Sequence, residues 1–413
     1  MSRRLAFTLV ATSAAVYLLG FLLDLPCRTS EWQLDAQLEN LCYSDIPKLF
    51  VERGLADGVV PYLQASAQGA YLEYPVLLGG LAYLAATVTR SMTGAGPDSS
   101  TTVLFFDVNV ALLFIPFVTT VLATALTARQ RARDAFMVAL APTMVLAATL
   151  NWDLLPVSLV ALSILAWSRE RAALAGVLLG LAVSAKFYPL VLLGGFLLFA
   201  IRGRSWRPFM RLVGGSVVAW LVVNAPVALA SFDGWVEFYT FSRARGADYG
   251  SPWFALAQPG IQLPQDRLNL VSTASFAVLC LGIAVLALRS RHEPRLAQLL
   301  FLTLAAFVAT NKVYSPQYVL WLVPLAVLAR PNWRDFMIWQ AAEVWYFVAV
   351  WRFIDWQMTG SGISPTVYAI STLVHLAGTA YFAFMVVRDV LRPQHDPVHQ
   401  LEVATPRWCP QLH

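Results

Sequence analysis

Thirteen apolar segments recur along the chain, roughly at 5–23, 75–91, 103–127, 135–150, 152–168, 172–187, 188–201, 212–231, 270–288, 296–310, 319–330, 335–352 and 365–387. Each reads as a helix at or near the ~20 residues that cross a bilayer. Arg-rich turns separate many of them: Arg129, Arg131 and Arg133; Arg169 and Arg171; Arg202, Arg204, Arg207 and Arg211; Arg289, Arg291 and Arg295; Arg330 and Arg334; Arg388 and Arg392. With Arg3 and Arg4, the positive-inside rule assigns these to the cytoplasm. Alternation traced back from a cytoplasmic C-terminus runs cleanly to 103–127 and then fails by one crossing. Segment 75–91 cannot span if the 24–73 and 92–102 loops both lie outside. The pattern therefore predicts an all-α polytopic bundle of about twelve transmembrane helices, with 75–91 in the interface or re-entering. The alternative is thirteen spans with one basic cluster outside.

The organisation that follows is one membrane domain over 1–392 and a polar, aperiodic tail at 393–413, expected to be disordered and cytoplasmic. Two long extracytoplasmic loops are expected, 24–73 and 232–269. The start, Met1-Ser2-Arg3-Arg4 and then Leu5 to Leu23, resembles a signal peptide. Its apolar stretch exceeds the usual ~7–15 residues and no small-residue cleavage site follows, so it reads as a retained first helix with its N-terminus inside.

Composition sharpens this. Of 413 residues, 58% are hydrophobic and 13% charged, against about a quarter charged in soluble proteins. That excludes a cytosolic enzyme, a nucleic-acid binder and a disordered chain; the net charge of +5 belongs to the loops rather than to nucleic acid. Cys27 and Cys42 share the first outside loop, where an oxidising compartment permits a disulfide, two free thiols being the alternative. No Cys or His spacing suggests zinc.

Only three lysines occur, Lys48, Lys186 and Lys312. Two of them fall at outside helix junctions: Ser184-Ala185-Lys186-Phe187-Tyr188-Pro189 and Asn311-Lys312-Val313-Tyr314-Ser315-Pro316-Gln317-Tyr318. A third such junction is Asn151-Trp152-Asp153. All three point toward the loops that carry Asp45 and Arg243, whereas the cytoplasmic junctions are plain Arg-rich turns. Unlike charges gathered on one face suit an amphipathic, negatively charged substrate; the plainer readings are a snorkelling lysine and an aromatic belt. Glu343 and His375 lie near the middle of the last two helices, where an unpaired charge is costly. Their depths predict a mutual contact or a shared polar cavity.

The stretch Cys42-Tyr43-Ser44-Asp45-Ile46, then Pro61-Tyr62 and Glu73-Tyr74-Pro75, follows the first long helix. This resembles the first extracytoplasmic loop of the GT-C glycosyltransferases, most closely glycosyltransferase family 87 of the actinobacterial, polyprenyl-phosphate-mannose-dependent mannosyltransferase type. The family pattern continues with an Asn before a helix, a Lys-x-Tyr-Pro and a late Ser-Pro-x-Tyr, which here are Asn151, Lys186 with Tyr188-Pro189, and Ser315-Pro316-Gln317-Tyr318. The resemblance covers about residues 5–390 through short motifs. Two departures are Glu73 before Tyr74, and Lys312 where some mannosyltransferases have His.

The resemblance implies a plasma-membrane enzyme with an extracytoplasmic active site. It would move a sugar, mannose or arabinofuranose, with inversion, from a polyprenyl-phosphate donor to a lipid-linked glycan acceptor. Asp45, at the family's acid position, is the expected general base. Lys186, Lys312 and Arg243 or Arg245 are the expected cations on the departing phosphate. Tyr62, Glu73, Tyr74, Asn151, Asp153, Tyr188, Tyr314, Gln317 and Tyr318 are the expected substrate contacts. No Asp-x-Asp pair stands in the first loop, so catalysis without a cofactor is expected, a divalent metal remaining the alternative. The rival classes are a transporter or flippase, which would show inverted repeats, and a non-catalytic scaffold.

Overall fold

Runs rich in Leu, Val and Ala, punctuated by Pro, Gly and capping residues, set the helices of the computed structural model, which describes residues 1–93, 96 and 98–404. α1 (Arg3–Leu23) leads into three short helices of the first long loop, α2 (Leu25–Thr29), α3 (Leu34–Glu39) and α4 (Asp45–Glu52). There follow α5 (Val76–Thr93), α6 (Ser99–Ala128), α7 (Ala135–Ala139), α8 (Pro142–Ala147), α9 (Leu154–Ser168), α10 (Ala172–Ala185) and α11 (Leu192–Arg202). α12 (Trp206–Ala230) gives way to α13 (Phe232–Ala244) and α14 (Pro252–Ala257) in the second long loop. The chain then runs through α15 (Gln265–Arg289), α16 (Leu296–Thr310), α17 (Val319–Ala329), α18 (Trp333–Thr359), α19 (Pro365–Leu391) and α20 (Pro397–Ala404). No strand occurs among the described residues.

Local chemistry fixes the ends. The Asn332 side chain accepts from the Asp335 amide at the start of α18, and Gly360 closes that helix in the left-handed conformation at φ 79°. Ser364 and Pro365 open α19 in the same way, a capping hydroxyl followed by a residue with its φ preset. The apolar segment 135–150, expected as one helix, is two. It breaks at Leu140 and Ala141, because the residue before Pro142 is driven out of the helical region.

Among the described residues, five stretches are long and apolar enough to cross a membrane: Arg3–Leu23, Ser99–Ala139, Trp206–Ala230, Gln265–Arg289 and Pro365–Leu391. α12 and α15 turn Val218, Val222 and Leu229, and Leu270, Val278 and Leu281, outward. Exposed apolar surface on this scale requires a lipid environment. The chain is a multi-pass membrane protein. By contrast, every residue of α17 is buried, so this helix, apolar all round, is the centre of the bundle. The segment at 75–91 forms the helix α5 and is not among the five.

α10 and α12 meet backbone to backbone. A Cβ added at Gly176 would lie 2.1 Å from the Leu212 carbonyl oxygen, and one at Gly180 2.3 Å from that of Ser216. Small residues at this spacing let membrane helices approach closely. The contact is extended by hydrogen bonds from Ser216 Oγ to the Gly176 carbonyl at 3.0 Å and from Asn224 Nδ2 to Ser184 Oγ at 3.0 Å. α10 then ends immediately before Lys186.

The 24–73 loop is folded onto the bundle. Cys27 and Cys42 are disulfide-bonded, their Cα atoms 5.9 Å apart. Arg28 forks onto Asp107 of α6 at 2.8 Å. Ser44 Oγ donates to the Thr149 carbonyl at 2.8 Å, and the Asp45 amide to the Leu150 carbonyl at 2.8 Å. These bonds dock the start of α4 against the junction before α9.

The beginning of the C-terminal tail, expected to be disordered, is ordered. A 3₁₀ turn at Pro393–His395 leads into α20. Asp396, 4% exposed, receives Arg295 at 3.0 Å and thereby ties the turn to the start of α16. One buried carboxylate and its arginine supply the anchor that periodicity does not reveal. Residues 405–413 of that tail lie outside the described residues.

Candidate active site

Three chain junctions and two loops converge at one end of the bundle. Lys186, just past α10, places its Nζ 2.8 Å from Asp153 Oδ1 and 4.7 Å from the centre of the Tyr74 ring. Its side chain is 13% exposed, so it does not snorkel to the surface. Asp153 is fully buried, and its other oxygen accepts from Trp321 Nε1 at 3.0 Å. Tyr74, reached from the far end of the first loop, donates its hydroxyl to Asp45 Oδ2 at 3.4 Å. Tyr43 donates to Asp45 Oδ1 at 2.9 Å. The order Asp45–Tyr74–Lys186–Asp153–Trp321 is thus continuous, although its members come from five separate segments.

Asp45 begins α4, with Ser44 as the capping residue. Its carboxyl is half-buried, and removal from water pushes its pKa above the ordinary carboxylate range. The Tyr43 hydrogen bond and the nearby Lys186 and Lys48 charges pull in the opposite direction without cancelling the shift.

Aromatic rings wall the cluster. Tyr188 stacks on Trp321 at 4.2 Å and Tyr318 on Trp321 at 3.8 Å. The Tyr318 phenol lies in the fields of both Lys186 and Arg245. Arg245, beyond the end of α13, is held by Asp248 at 2.5 Å. Three buried polar atoms here have no hydrogen-bond partner among the described residues: Asn151 Nδ2, the Tyr188 hydroxyl and Gln317 Oε1. An unpaired buried polar atom costs about 1–3 kcal/mol. Asn151 Oδ1, by contrast, is occupied by the Asp153 amide at 2.9 Å.

The sequence model of glycosyltransferase family 87 matches residues 78–310, more than half of the chain. The chain belongs to that family. GPI mannosyltransferase 1 of Kluyveromyces lactis is 28% identical over 185 residues, 40% of this chain and 45% of that protein. The chain therefore spans under half the length of the curated relative it matches. A crystal structure of ArnT from Cupriavidus metallidurans bound to undecaprenyl phosphate superposes with a TM-score of 0.48 at 14% identity, over 95% of this chain and 78% of that one.

Five residues expected at the site of this family 87 protein are engaged elsewhere. Lys312 spends all three ammonium donors on carbonyl oxygens, those of Ser242 at 3.1 Å, Arg243 at 3.2 Å and Arg245 at 2.7 Å. It caps α13 and has no donor left for a phosphate; burial and the Arg245 charge also push its pKa down. Glu73 takes a bidentate grip from Arg53, at 2.6 and 2.7 Å. Tyr62 bonds the carbonyls of Tyr74 and Pro75 at 2.9 and 2.8 Å and so pins the Tyr74 backbone. Tyr314 is buried with Thr379 at 3.0 Å and Glu343 at 3.3 Å. Arg243 is exposed and offers its carbonyl rather than its guanidinium.

Glu343 and His375 meet at 2.7 Å, fully buried, as their depths require. They anchor Tyr314 and through it the 311–318 segment. Sequence reasoning missed Tyr43, Trp321, Asp248 and Arg53 in the family 87 chain. Tyr43 stands two residues from Asp45 in an extended stretch, and Trp321 one helical turn after Tyr318, so both shared a face with a residue already singled out.

Proposed function

We propose that the protein is an inverting glycosyltransferase that moves a sugar, mannose in the favoured reading, from a polyprenyl-phosphate donor to a hydroxyl of a lipid-linked glycan acceptor on the extracytoplasmic side. The observation that carries this is the Tyr74 bridge. It holds a carboxylate, Asp45, at its hydroxyl and a cation, Lys186, over its ring.

Inverting transfer needs a base near the attacking hydroxyl and a cation near the departing phosphate. Asp45 removes the proton of an acceptor hydroxyl placed within about 3 Å of it. The oxygen attacks the anomeric carbon, and the bond to the phosphate oxygen breaks on the opposite face. The electron pair leaves on the phosphate, whose charge grows from monoanion to dianion. Lys186, with Arg245 across Tyr318, stabilises that growing charge. The raised pKa of Asp45 makes it a better proton acceptor than an ordinary surface carboxylate. Asn151, Tyr188 and Gln317 present hydrogen-bonding atoms to the sugar, and the Tyr188–Trp321–Tyr318 stack presents an apolar face to it.

The mannosyltransferase relative supports mannose as the sugar. The side-chain cations carry the phosphate charge in this reading, so transfer is expected to persist in EDTA. The deciding experiment is turnover of synthetic polyprenyl-phosphate mannose by purified protein in lipid nanodiscs. Release of polyprenyl phosphate, coupled to a mannosylated lipid product, supports the reading. Translocation of the donor without cleavage would establish the transporter instead.

A further inference from the structure

At the end of the bundle opposite Asp45, the start of α18 and the end of α19 enclose a cavity of about 340 Å³. Its wall includes Arg330, Asn332, Arg334, Asp335, Tyr381 and Arg388. The floor is a closed ionic unit. Arg330, 4% exposed, is paired with Asp335 at 2.7 Å and with Asp389, and it also donates to the His395 carbonyl at 3.3 Å. The Tyr381 hydroxyl donates to Asp335 Oδ1 at 2.8 Å. With two carboxylates against one guanidinium, that unit has no cationic capacity to spare.

The two arginines at the rim differ. Arg334 is exposed and forms no ion pair among the described residues. Arg388 reaches no closer than 3.7 Å to Asp389 Oδ1, and its Nε is buried without a hydrogen-bond partner. Summed over Arg330, Arg334, Arg388, Asp335 and Asp389, the cavity carries one net positive charge. A single monoanion held by Arg334 and the exposed part of Arg388 neutralises it.

The surroundings say which monoanion. One helical turn along α18 from Arg334, Met337 and Ile338 are 41% and 43% exposed. Along the Arg388 face of α19, Phe384 is 62% exposed. Both arginines therefore top apolar stripes that face lipid. A free phosphate ion would use the arginines and leave the stripes uncovered, whereas a phospholipid uses both. We propose that this cavity binds the phosphodiester of an anionic glycerophospholipid, held by Arg334 and Arg388, with its acyl chains along Met337, Ile338 and Phe384. Basic pockets between transmembrane helices recognise anionic headgroups in this manner. The site is remote from Asp45 and does not depend on the transfer reaction.

The test is lipid retention by the purified full-length protein in native mass spectrometry. Samples are exchanged into phosphatidylglycerol or phosphatidylcholine, with inorganic phosphate as a separate arm. Phosphatidylglycerol should be retained over phosphatidylcholine, and R334Q/R388Q should weaken its retention by roughly fivefold for each arginine removed. R334K/R388K should keep most of it. Unchanged melting of R334Q/R388Q in phosphatidylcholine shows that the fold survives; should it melt early, the single variants R334Q and R388Q carry the test. Equal retention of the two lipids, or undiminished retention in the Gln variants, overturns the proposal. Competition by millimolar phosphate that fully displaces the lipid would identify a free-anion site and overturn the lipid assignment.

Discussion

The Lys186 ammonium lies 2.8 Å from a carboxylate, that of Asp153, whose side chain has no exposure at all. Such a pair contributes little net stability, yet breaking it strands a buried charge at a cost of about 3–5 kcal/mol. Lys186 thus has a structural debt to Asp153 and, in the proposed reaction, a chemical task toward the donor phosphate.

These two roles separate by mutation. Lys186→Ala should lower both the melting temperature and donor turnover. Adding Asp153→Asn removes the stranded charge, so the double variant should regain most of the thermal stability while turnover stays low. Lys186→Arg should retain more turnover than Lys186→Ala. Equal turnover in the two single variants would remove Lys186 from the phosphate clamp.

Asp45→Asn keeps the shape of the side chain and loses the proton acceptor. Its expected effect is a fall in kcat of about 10²- to 10⁴-fold, with the KM for the donor near the native value. Near-native kcat in this variant, measured with radiolabelled donor, would rule out Asp45 as the base.

Lys312 holds the three carbonyls at the end of α13 that precede or belong to Arg245. Lys312→Met and Arg245→Gln should therefore raise the donor KM through the same displaced guanidinium. Residues acting as one unit give non-additive losses. The double variant should be little worse than the poorer single one; multiplied effects on KM would show that Lys312 acts independently.

Asp24 lies one residue beyond α1, 9% exposed, and accepts from Thr149 Oγ1 at 2.7 Å. Burial raises its pKa to about 7. The unfolded chain loses this proton near pH ~3.9, so the folded state binds the extra proton between those values. Stability then declines as pH rises toward 7, and the penalty is complete above it. The melting temperature of Asp24→Asn should vary less between pH 5 and pH 8 than that of the native protein. Parallel pH curves for the two would refute this.

Hydropathy located the helices because lipid-facing and core positions alike demand apolar residues. The break before Pro142 was readable from the proline alone. The order of the first loop and of 393–404 was not, since it rests on sparse polar anchors: Arg28 on Asp107, Ser44 on Thr149, Arg295 on Asp396. At the site, the clustering of polar junctions foretold the meeting of Lys186, Asp153 and Asp45's neighbour Tyr74. It could not apportion partners within the cluster. Lys312 and Lys186 look alike as lysines ending helices, and only the converging carbonyls of α13 distinguish a cap from a free cation. Glu73 lost its expected role to Arg53, an arginine twenty residues upstream whose proximity depends on how the loop closes.

The bare backbone contact between α10 and α12 bears on this lysine as well. α10 carries Lys186 at its tip, so the ammonium's position is registered by Gly176 and Gly180, ten and six residues earlier. A methyl group at either glycine would meet a carbonyl oxygen at little over 2 Å and wedge the helices apart. The tip would swing while Asp45, Tyr74, Asp153 and Lys186 all kept their identity. In the proposed reaction, alignment of the phosphate-binding ammonium is accordingly exposed to damage from helix-packing positions that carry no functional group.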